Sequence, residues 1–300
     1  MKKKTYLFTL MAMALTLGSC SDNENGIGGE TSKYITVSTS IGNMTRVATD
    51  AKGGQTFEEG DEISVYAWTG DATVAPETRE RVVNNAINKL TNGSWISNPQ
   101  MLWKNNRDKH YFIGVYPISA ISDLSAGEYT FDETKQVESD LLVAVNKDGL
   151  SYNVDEQQPV PLTFTHVMAK LVVNLTYKNQ WGGIPTVEKV VVGNAAKEAT
   201  INYLTKVVTP STTAKEDFSL PEITENTKYV SVIIPQEEVT QLTIVIGGKN
   251  FVYDNGTPFK LESGKITTVN LEVGRDEIKL GDVKITNWED GSTFSGEALN

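Results

Sequence analysis

The most reactive side chain in this 300-residue sequence is its single cysteine, Cys20. The small residues Gly18 and Ser19 stand directly before it and end a largely apolar run that follows three lysines at 2–4. A basic start, an apolar run too short to cross a bilayer and small residues at the end are typical of a cleaved export signal. Removal of that signal would leave the Cys20 thiol at the new terminus, where it could carry lipid.

The residues that end in Cys20 resemble the bacterial lipobox, a motif in which the thiol is acylated and the signal is removed. We therefore expect a lipoprotein signal peptide over 1–19 and a palmitate-type anchor on Cys20. Two or more acyl chains hold a protein on a membrane almost permanently. An ordinary secretory signal is the alternative. With its only thiol lipidated, the chain would have no disulfide and no cysteine metal site.

Composition limits the remaining functions. Residues 20–32 are polar and rich in glycine, which predicts a flexible tether between the lipid and a folded body. The net charge is −11, and lysine and arginine are scattered along the chain. Because phosphate binding needs a clustered basic face, we expect no nucleic-acid partner.

Combinations of side chains that support catalysis are missing from the sequence. His110 and His166 are the only histidines, and no His-x-x-x-His spacing exists. We expect His166 to be a structural residue on a buried strand and His110 to lie at the surface. The sequence has no Gly-x-Ser-x-Gly elbow and no complete phosphate loop. We therefore predict no enzyme activity, no metal site and no cofactor.

Beyond Lys33 the apolar residues recur at every second position, with turn residues between the runs, which predicts an all-β chain. The segment Glu80–Leu90 has partial helical character that competes with a strand. Asn92-Gly93 and Gly247-Gly248 lie between apolar runs and predict two hairpins. The first two predicted strands are half-buried and alternate at Ile35, Val37, Thr39 and Ile41 and at Ile63, Val65 and Ala67, with Tyr66 and Trp68 on the opposite face.

The number of strands exceeds that of one small sheet, so we predict two tandem β-sandwich domains. Pro159 and Pro161 interrupt ladder pairing just before a new apolar strand, which places the boundary near residue 165. The predicted domains are therefore 33–165 and 166–300.

Several motifs, in this order, resemble the fimbrillins of Bacteroidales. The resemblance covers nearly the whole chain after Cys20 and implies transthyretin-like sandwich domains. The motifs are Phe57–Tyr66, Trp103, Tyr111–Ile113, Tyr116-Pro117, Asp140–Leu142, Leu162–Leu171, Leu261–Lys265 and Val283–Trp288.

The resemblance implies a fimbrial subunit that reaches the outer membrane as a surface-exposed lipoprotein, joins other fimbrial subunits and takes part in adhesion. In such precursors an arginine-specific protease cuts after an arginine that follows the first strand. The matching residue here is Arg46, and Val47 would become the new terminus. The cut would release the strand that contains Ile35, Val37 and Ile41 and open an apolar groove for a donated strand.

In the family the donor comes from the C-terminal region of a neighbour, and the residues that match here are Val283, Ile285 and Trp288. An ordinary core strand is an open alternative for these three residues, and a solvent-facing loop arginine is one for Arg46. The whole chain has two alternatives of its own. It could be a monomeric surface lipoprotein that binds a glycan or host protein, for which Trp181 is the candidate contact, or a minor tip or anchor subunit.

Overall fold

The structure, a computed structural model, describes residues 33–42, 56–153 and 158–288. These residues form nineteen β-strands and two single-turn 3-10 helices, Thr78–Glu80 and Asn179–Trp181, so the all-β prediction is confirmed. The strands, in chain order, are β1 (Val37–Ile41), β2 (Glu62–Thr69), β3 (Val83–Thr91), β4 (Ser94–Asn98), β5 (His110–Tyr116), β6 (Gly127–Thr130), β7 (Leu142–Leu150), β8 (Val160–His166), β9 (Ala169–Tyr177), β10 (Lys189–Ala196), β11 (Glu198–Asn202), β12 (Val207–Pro210), β13 (Lys215–Leu220), β14 (Glu222–Thr224), β15 (Lys228–Ile233), β16 (Gln236–Ile246), β17 (Lys249–Leu261), β18 (Lys265–Val273) and β19 (Ile278–Asn287).

The largest sheet has seven strands in the order β1-β8-β7-β5-β2-β3-β4. Strand β2 lies near its middle and is buried on both faces, not on one as its alternation predicts. Ile63 and Val65 pack into a core cluster on one face, whereas Tyr66 and Trp68 pack into a larger cluster on the other. The pattern predicts which residues share a face, but it cannot show that a second layer covers the outer face.

The other sheets have three, four and five strands, in the orders β12-β11-β6, β13-β10-β16-β17 and β14-β15-β9-β18-β19. Strand β6 pairs with β11 across the predicted boundary, and the larger core cluster contains residues from both sides of residue 165. The chain leaves the seven-stranded sheet at the end of β8 and enters the five-stranded sheet at β9. The division into two sandwich domains at this point stays a prediction.

Local turn chemistry explains the hairpins. Asn92 and Gly93 join β3 to β4 with positive φ angles of 51° and 72°, and Gly247 and Gly248 join β16 to β17 at 58° and 70°. Both pairs have the left-handed backbone that two-residue hairpins require, so both predictions are confirmed. The segment Glu80–Leu90 is strand β3 over most of its length, because Val83 and Ala86 are buried against the sheet.

Candidate functional site

The first strand lies at an edge of the seven-stranded sheet and runs parallel to β8. The register places Val37 beside Val160 and Ile41 beside Phe164. At the two ends of the ladder, the Val160 N–H donates to the Thr36 carbonyl at 2.8 Å and the Gly42 N–H donates to the Phe164 carbonyl at 2.9 Å. One wall of the site is therefore the backbone of β8.

The opposite wall is the chain that follows β4. The Ile35 N–H donates to the Met101 carbonyl at 2.9 Å, and the Trp103 N–H donates to the Lys33 carbonyl at 3.1 Å. Between these two bonds, Tyr34 forms an antiparallel bridge with Leu102. The segment Lys33–Gly42, which we call the first-strand segment, thus lies between two walls. We call the space that it fills the slot.

A side chain of β4 also reaches the first-strand segment. The Trp95 indole N–H donates to Thr39 Oγ1 at 3.0 Å, in a part-buried position. Strand β4 is the last strand of the sheet and β1 is the first, so this bond joins the two edges of the same sheet. The seven strands therefore curve around one core, and the first-strand segment closes the gap.

The inward face of the first-strand segment is apolar. Ile35, Val37 and Ile41 are only 2%, 6% and 9% exposed, as their alternation predicts. They belong to one core cluster with residues of both walls, namely Met101, Val160, Leu162 and Phe164. The outward residues Ser38 and Ser40 are exposed. Whether this segment is removable is a question of function and stays a prediction here.

An aromatic group lies at the end of the slot where Ile41 sits. Phe57 makes edge-on ring contacts with Trp95 at 5.2 Å, Tyr116 at 5.4 Å and Phe164 at 5.1 Å between ring centroids. Burial, followed by the nearby Asp61 carboxylate, raises the pKa of Tyr116 to about 12. The Tyr116 hydroxyl is therefore a neutral donor, and it contacts Asp61 Oδ1 at 3.3 Å.

The predicted donor residues lie on or just after β19, at the edge of the five-stranded sheet. Among the described strands, β19 pairs only with β18. Every residue from Gly281 to Asn287 is exposed, and Val283 and Ile285 are 37% and 38% exposed. The two faces of this stretch are therefore both uncovered, which differs from the core strand that was the alternative.

Trp288 does not share the position of Val283 and Ile285. Its ring stacks face to face on His166, with centroids 4.0 Å apart and planes 5° apart, and Lys170 Nζ lies 5.3 Å from the same ring. His166 Nδ1 contacts Asp140 Oδ1 at 2.8 Å. Trp288 and Ile41 both line a cavity of about 470 Å³, so the end of the first strand and the end of β19 meet at one place.

The two histidines differ from their predicted surroundings. His110 was expected at the surface, but it is fully buried and packs edge-on against Trp103 at 4.9 Å. Its Nε2 accepts the Lys104 backbone N–H at 3.1 Å, and burial lowers its pKa, which favours the neutral ring. His166 is buried, as predicted, but it contacts the Asp140 side chain and the Trp288 ring.

Trp181, the candidate glycan contact, covers the end of a core. Its indole N–H donates to the Val273 carbonyl at 3.0 Å, and its ring packs against Phe251 at 5.8 Å and below Arg275 at 5.6 Å. A sugar platform needs an open ring face, whereas Arg275 lies over a face of this ring and Phe251 contacts the ring at an interplanar angle of 63°.

The predicted features that lie outside the described residues are the signal peptide 1–19, the lipidation site Cys20, the tether 20–32, and Arg46 with Val47 at the expected cut. Among residues 33–42, 56–153 and 158–288 no group of three or more His, Cys, Asp or Glu could hold a metal ion. Within the same ranges no helix has the length and apolar character that crossing a bilayer demands.

Sequence reasoning missed two groups, the Trp95–Thr39 bond and the stack of His166 on Trp288. The partners are separated by 56 residues in the first and by more than a hundred in the second. No local spacing relates such positions. One feature of the sequence indicated that Thr39 has a partner. Strand alternation places Thr39 on the same apolar face as Val37, and a lone hydroxyl on such a face needs a hydrogen-bond partner.

Comparison with known proteins identifies the family of this chain. The family model described as "Fimbrillin-like" matches residues 45–288. A protein of Bacteroides uniformis named "Putative fimbrium subunit Fim1C" is 24% identical over an alignment of 316 positions, gaps included, that covers 97% of each chain. A crystal structure of "a putative cell adhesion protein" from Bacteroides ovatus is 18% identical with a TM-score of 0.64, and it covers 85% of this chain and 98% of that one.

A fimbrial protein from Bacteroides vulgatus is 13% identical with a TM-score of 0.52, and the match covers 84% of this chain and 99% of that one. At these identities the two crystal structures show a shared fold, and the family model carries the assignment. Its match spans well over half of the sequence. The chain therefore belongs to the fimbrillin-like family, a family of fimbrial subunits of the cell surface.

Proposed function

We propose that this protein is a structural subunit of a fimbrium that is exported as a lipoprotein through Cys20 and takes part in adhesion. It reaches the surface of the outer membrane, where a protease cuts after Arg46 and Val47 becomes the new terminus. The subunits then polymerise by donor-strand exchange. The observation that carries this proposal is the first-strand segment, an edge strand between two walls that closes an apolar core.

The energetics of the slot support exchange rather than simple loss of the strand. Burying a side chain such as Ile35, Val37 or Ile41 contributes about 1.5 to 3 kcal/mol each. Removal would also leave backbone donors and acceptors unpaired on both walls, and such edges readily accept another strand. A strand from a neighbouring subunit would restore the ladder and the apolar contacts together.

The proposed cut lies near the start of the region that the family model matches. The match to the family model begins at residue 45, directly beside Arg46, so the first-strand segment lies outside the matched region. A subunit that starts at Val47 would retain both walls of the slot and lose the segment between them together with the lipidated tether.

The donor in this proposal is the C-terminal region of a neighbour. Val283 and Ile285 are apolar, alternate on one strand and are exposed in the subunit itself. An exposed pair of this kind gains contacts when it enters an apolar slot. Trp288 would have to leave its stack on His166 if the donated stretch includes it.

The deciding experiment is intact mass measurement and N-terminal sequencing of the protein recovered from the native cell surface. We expect a terminus at Val47, loss of the lipidated peptide and a ladder of polymers. Arg46→Ala should accumulate the lipidated precursor, whereas Arg107→Ala, at an exposed position in another loop, should be processed normally.

A wild-type protein that keeps lipidated Cys20 on the whole chain would contradict processing and strand exchange. That result would favour a monomeric surface lipoprotein that binds a glycan or host protein, or a tip or anchor subunit. Binding assays against both ligand classes would then separate the two.

A further inference from the structure

We propose that Trp95 sets the register of the incoming strand, and that Asn287 of a second copy of this chain takes the place of Thr39. This inference rests on the proposed function, because it assumes that the slot is emptied and refilled. To the proposed exchange it adds the residue that selects the register of the incoming strand, and the register itself.

The slot has four inward positions, and they are not alike. Three of them, at Ile35, Val37 and Ile41, are buried and apolar. The fourth is Thr39, whose hydroxyl accepts the Trp95 indole N–H at 3.0 Å. A strand that fills the slot must therefore present two apolar side chains, then an oxygen acceptor, then a third apolar side chain.

Trp95 does not leave with the first-strand segment. It lies on β4, where it pairs with Leu90 of β3, and its ring packs edge-on against Phe57 at 5.2 Å. Phe57 follows the proposed cut, so both residues stay in the processed subunit. Once Thr39 is gone, the indole N–H points into the emptied slot without its partner. An incoming strand that brings an oxygen to this point is favoured over one that brings a methyl group.

The C-terminal segment matches this pattern at three of the four positions. Val283, Ile285 and Asn287 have the same spacing as Ile35, Val37 and Thr39, and all three are exposed on β19. The side-chain oxygen of Asn287 can accept the indole N–H. The fourth position, at the end of the slot where Ile41 lines a cavity of about 470 Å³, receives Glu289 and is the one mismatch.

Other alignments are disfavoured for separate reasons. A slip of one residue turns the opposite face inward and places two charged side chains, Asp282 and Lys284, in the apolar positions of Ile35 and Val37, whereas the proposed register places one charge at the end of the slot. A slip of two residues keeps Val283 and Ile285 inward but brings Ile285 to the indole N–H, which then lacks an acceptor. The cost of burying charged side chains disfavours the one-residue slip. The unsatisfied indole N–H of Trp95 disfavours the two-residue slip.

The first test uses the full chain with a protease site inserted between Asn43 and Gln55, so that opening the slot does not depend on Arg46. The probe is a fluorescent peptide with the sequence of residues 281–292. We expect Asn287→Leu in the peptide to weaken binding roughly five- to tenfold, since the bond is part-buried, and Asn287→Thr to preserve it. Thr286→Leu, on the outward face, is the matched control and should bind like the wild type.

The second arm repeats these measurements on the Trp95→Phe protein. The difference between the wild-type peptide and the Asn287→Leu peptide should vanish, because phenylalanine has no N–H to satisfy. Equal binding of the two peptides to the wild-type slot, or a difference that persists in Trp95→Phe, would overturn the register. Absence of binding by every peptide to the opened wild-type chain would overturn the proposed exchange itself.

Cross-linking gives a reading that does not require Trp95→Phe to fold. The processed chain contains no cysteine, because Cys20 precedes the cut. In the proposed register, Thr286 replaces Ser38, which lies beside Pro161 of β8. Pro161→Cys should therefore form a disulfide with a peptide that carries Thr286→Cys and not with one that carries Lys284→Cys. The reverse preference would overturn the register.

Discussion

Thr39 holds the first-strand segment through its side chain as well as its backbone. Thr39→Val removes the acceptor of the Trp95 indole N–H and leaves that donor unsatisfied. We expect the free energy of unfolding of the uncut chain to fall by about 1 kcal/mol, measured by urea denaturation. Ser38→Ala, at an exposed neighbour, should change it by less than about 0.5 kcal/mol. Equal effects of the two substitutions would show that the indole bond contributes nothing.

Lys170 gives a pH dependence of known sign. Burial lowers its pKa from 10.5 to about 8, the Asp140 carboxylate opposes this shift, and Lys228 adds to it. The unfolded chain therefore binds more protons than the folded one between about pH 8 and 10, so the free energy of unfolding should rise with pH there. We expect Lys170→Met to remove about 1 to 2 kcal/mol of that rise in urea titrations across this window. Parallel curves for the two proteins would contradict the shift.

The surroundings of single residues are what the sequence predicts least. The alternation identified Ile35, Val37 and Ile41 as inward residues because each strand alternates locally. It placed His110 at the surface, although Trp103 and the Lys104 backbone bury it. Burial of a single imidazole depends on a neighbouring loop, and no pattern of its own strand encodes that loop.

At the scale of elements, β19 combines exposure with apolar side chains. A double change of Val283 and Ile285 to lysine adds two charges to exposed positions, so the free energy of unfolding of the subunit should stay within about 0.5 kcal/mol of the wild type. The same change should abolish polymer ladders, because a lysine pair cannot enter an apolar slot.

Val252→Lys is the matched control, since Val252 is 45% exposed on β17 and has no place in the proposed exchange. It should leave the ladders intact. Loss of ladders with Val252→Lys, or normal ladders with the double lysine variant, would contradict the assignment of β19 as donor.

Strands and hairpins were largely predictable, whereas their partners were not. Asn92-Gly93 and Gly247-Gly248 specify turns by backbone conformation alone, so neighbouring strands follow from sequence. The parallel pairing of β1 with β8 joins residues more than a hundred positions apart, and nothing local selects it. For the same reason, the alternation could not tell that β19 would be exposed on both faces.

At the scale of the whole molecule, the proposed anchor makes a separate prediction. Cys20→Ser removes the thiol that would carry lipid, so the exported protein should move from the membrane fraction to the soluble fraction of cell lysates. Metabolic labelling with a palmitate analogue should mark the wild type and not the variant. Ser21→Ala is the control and should remain in the membrane fraction. Labelling of Cys20→Ser would contradict lipidation at this residue.

The first-strand segment and a donated strand compete for the same slot. The covalent connection between that segment and the rest of the subunit determines which of them occupies it. While the connection is intact, the segment competes as part of the same molecule, at an effective concentration on the order of millimolar. The proposed cut after Arg46 removes none of the contacts along β8 or with Met101 and Trp103. It turns the segment into a separate peptide that is diluted once it dissociates. Proteolysis would thus lower the local concentration of the first-strand segment at the slot. A donated strand could then replace it because neighbouring subunits are abundant, without making stronger contacts.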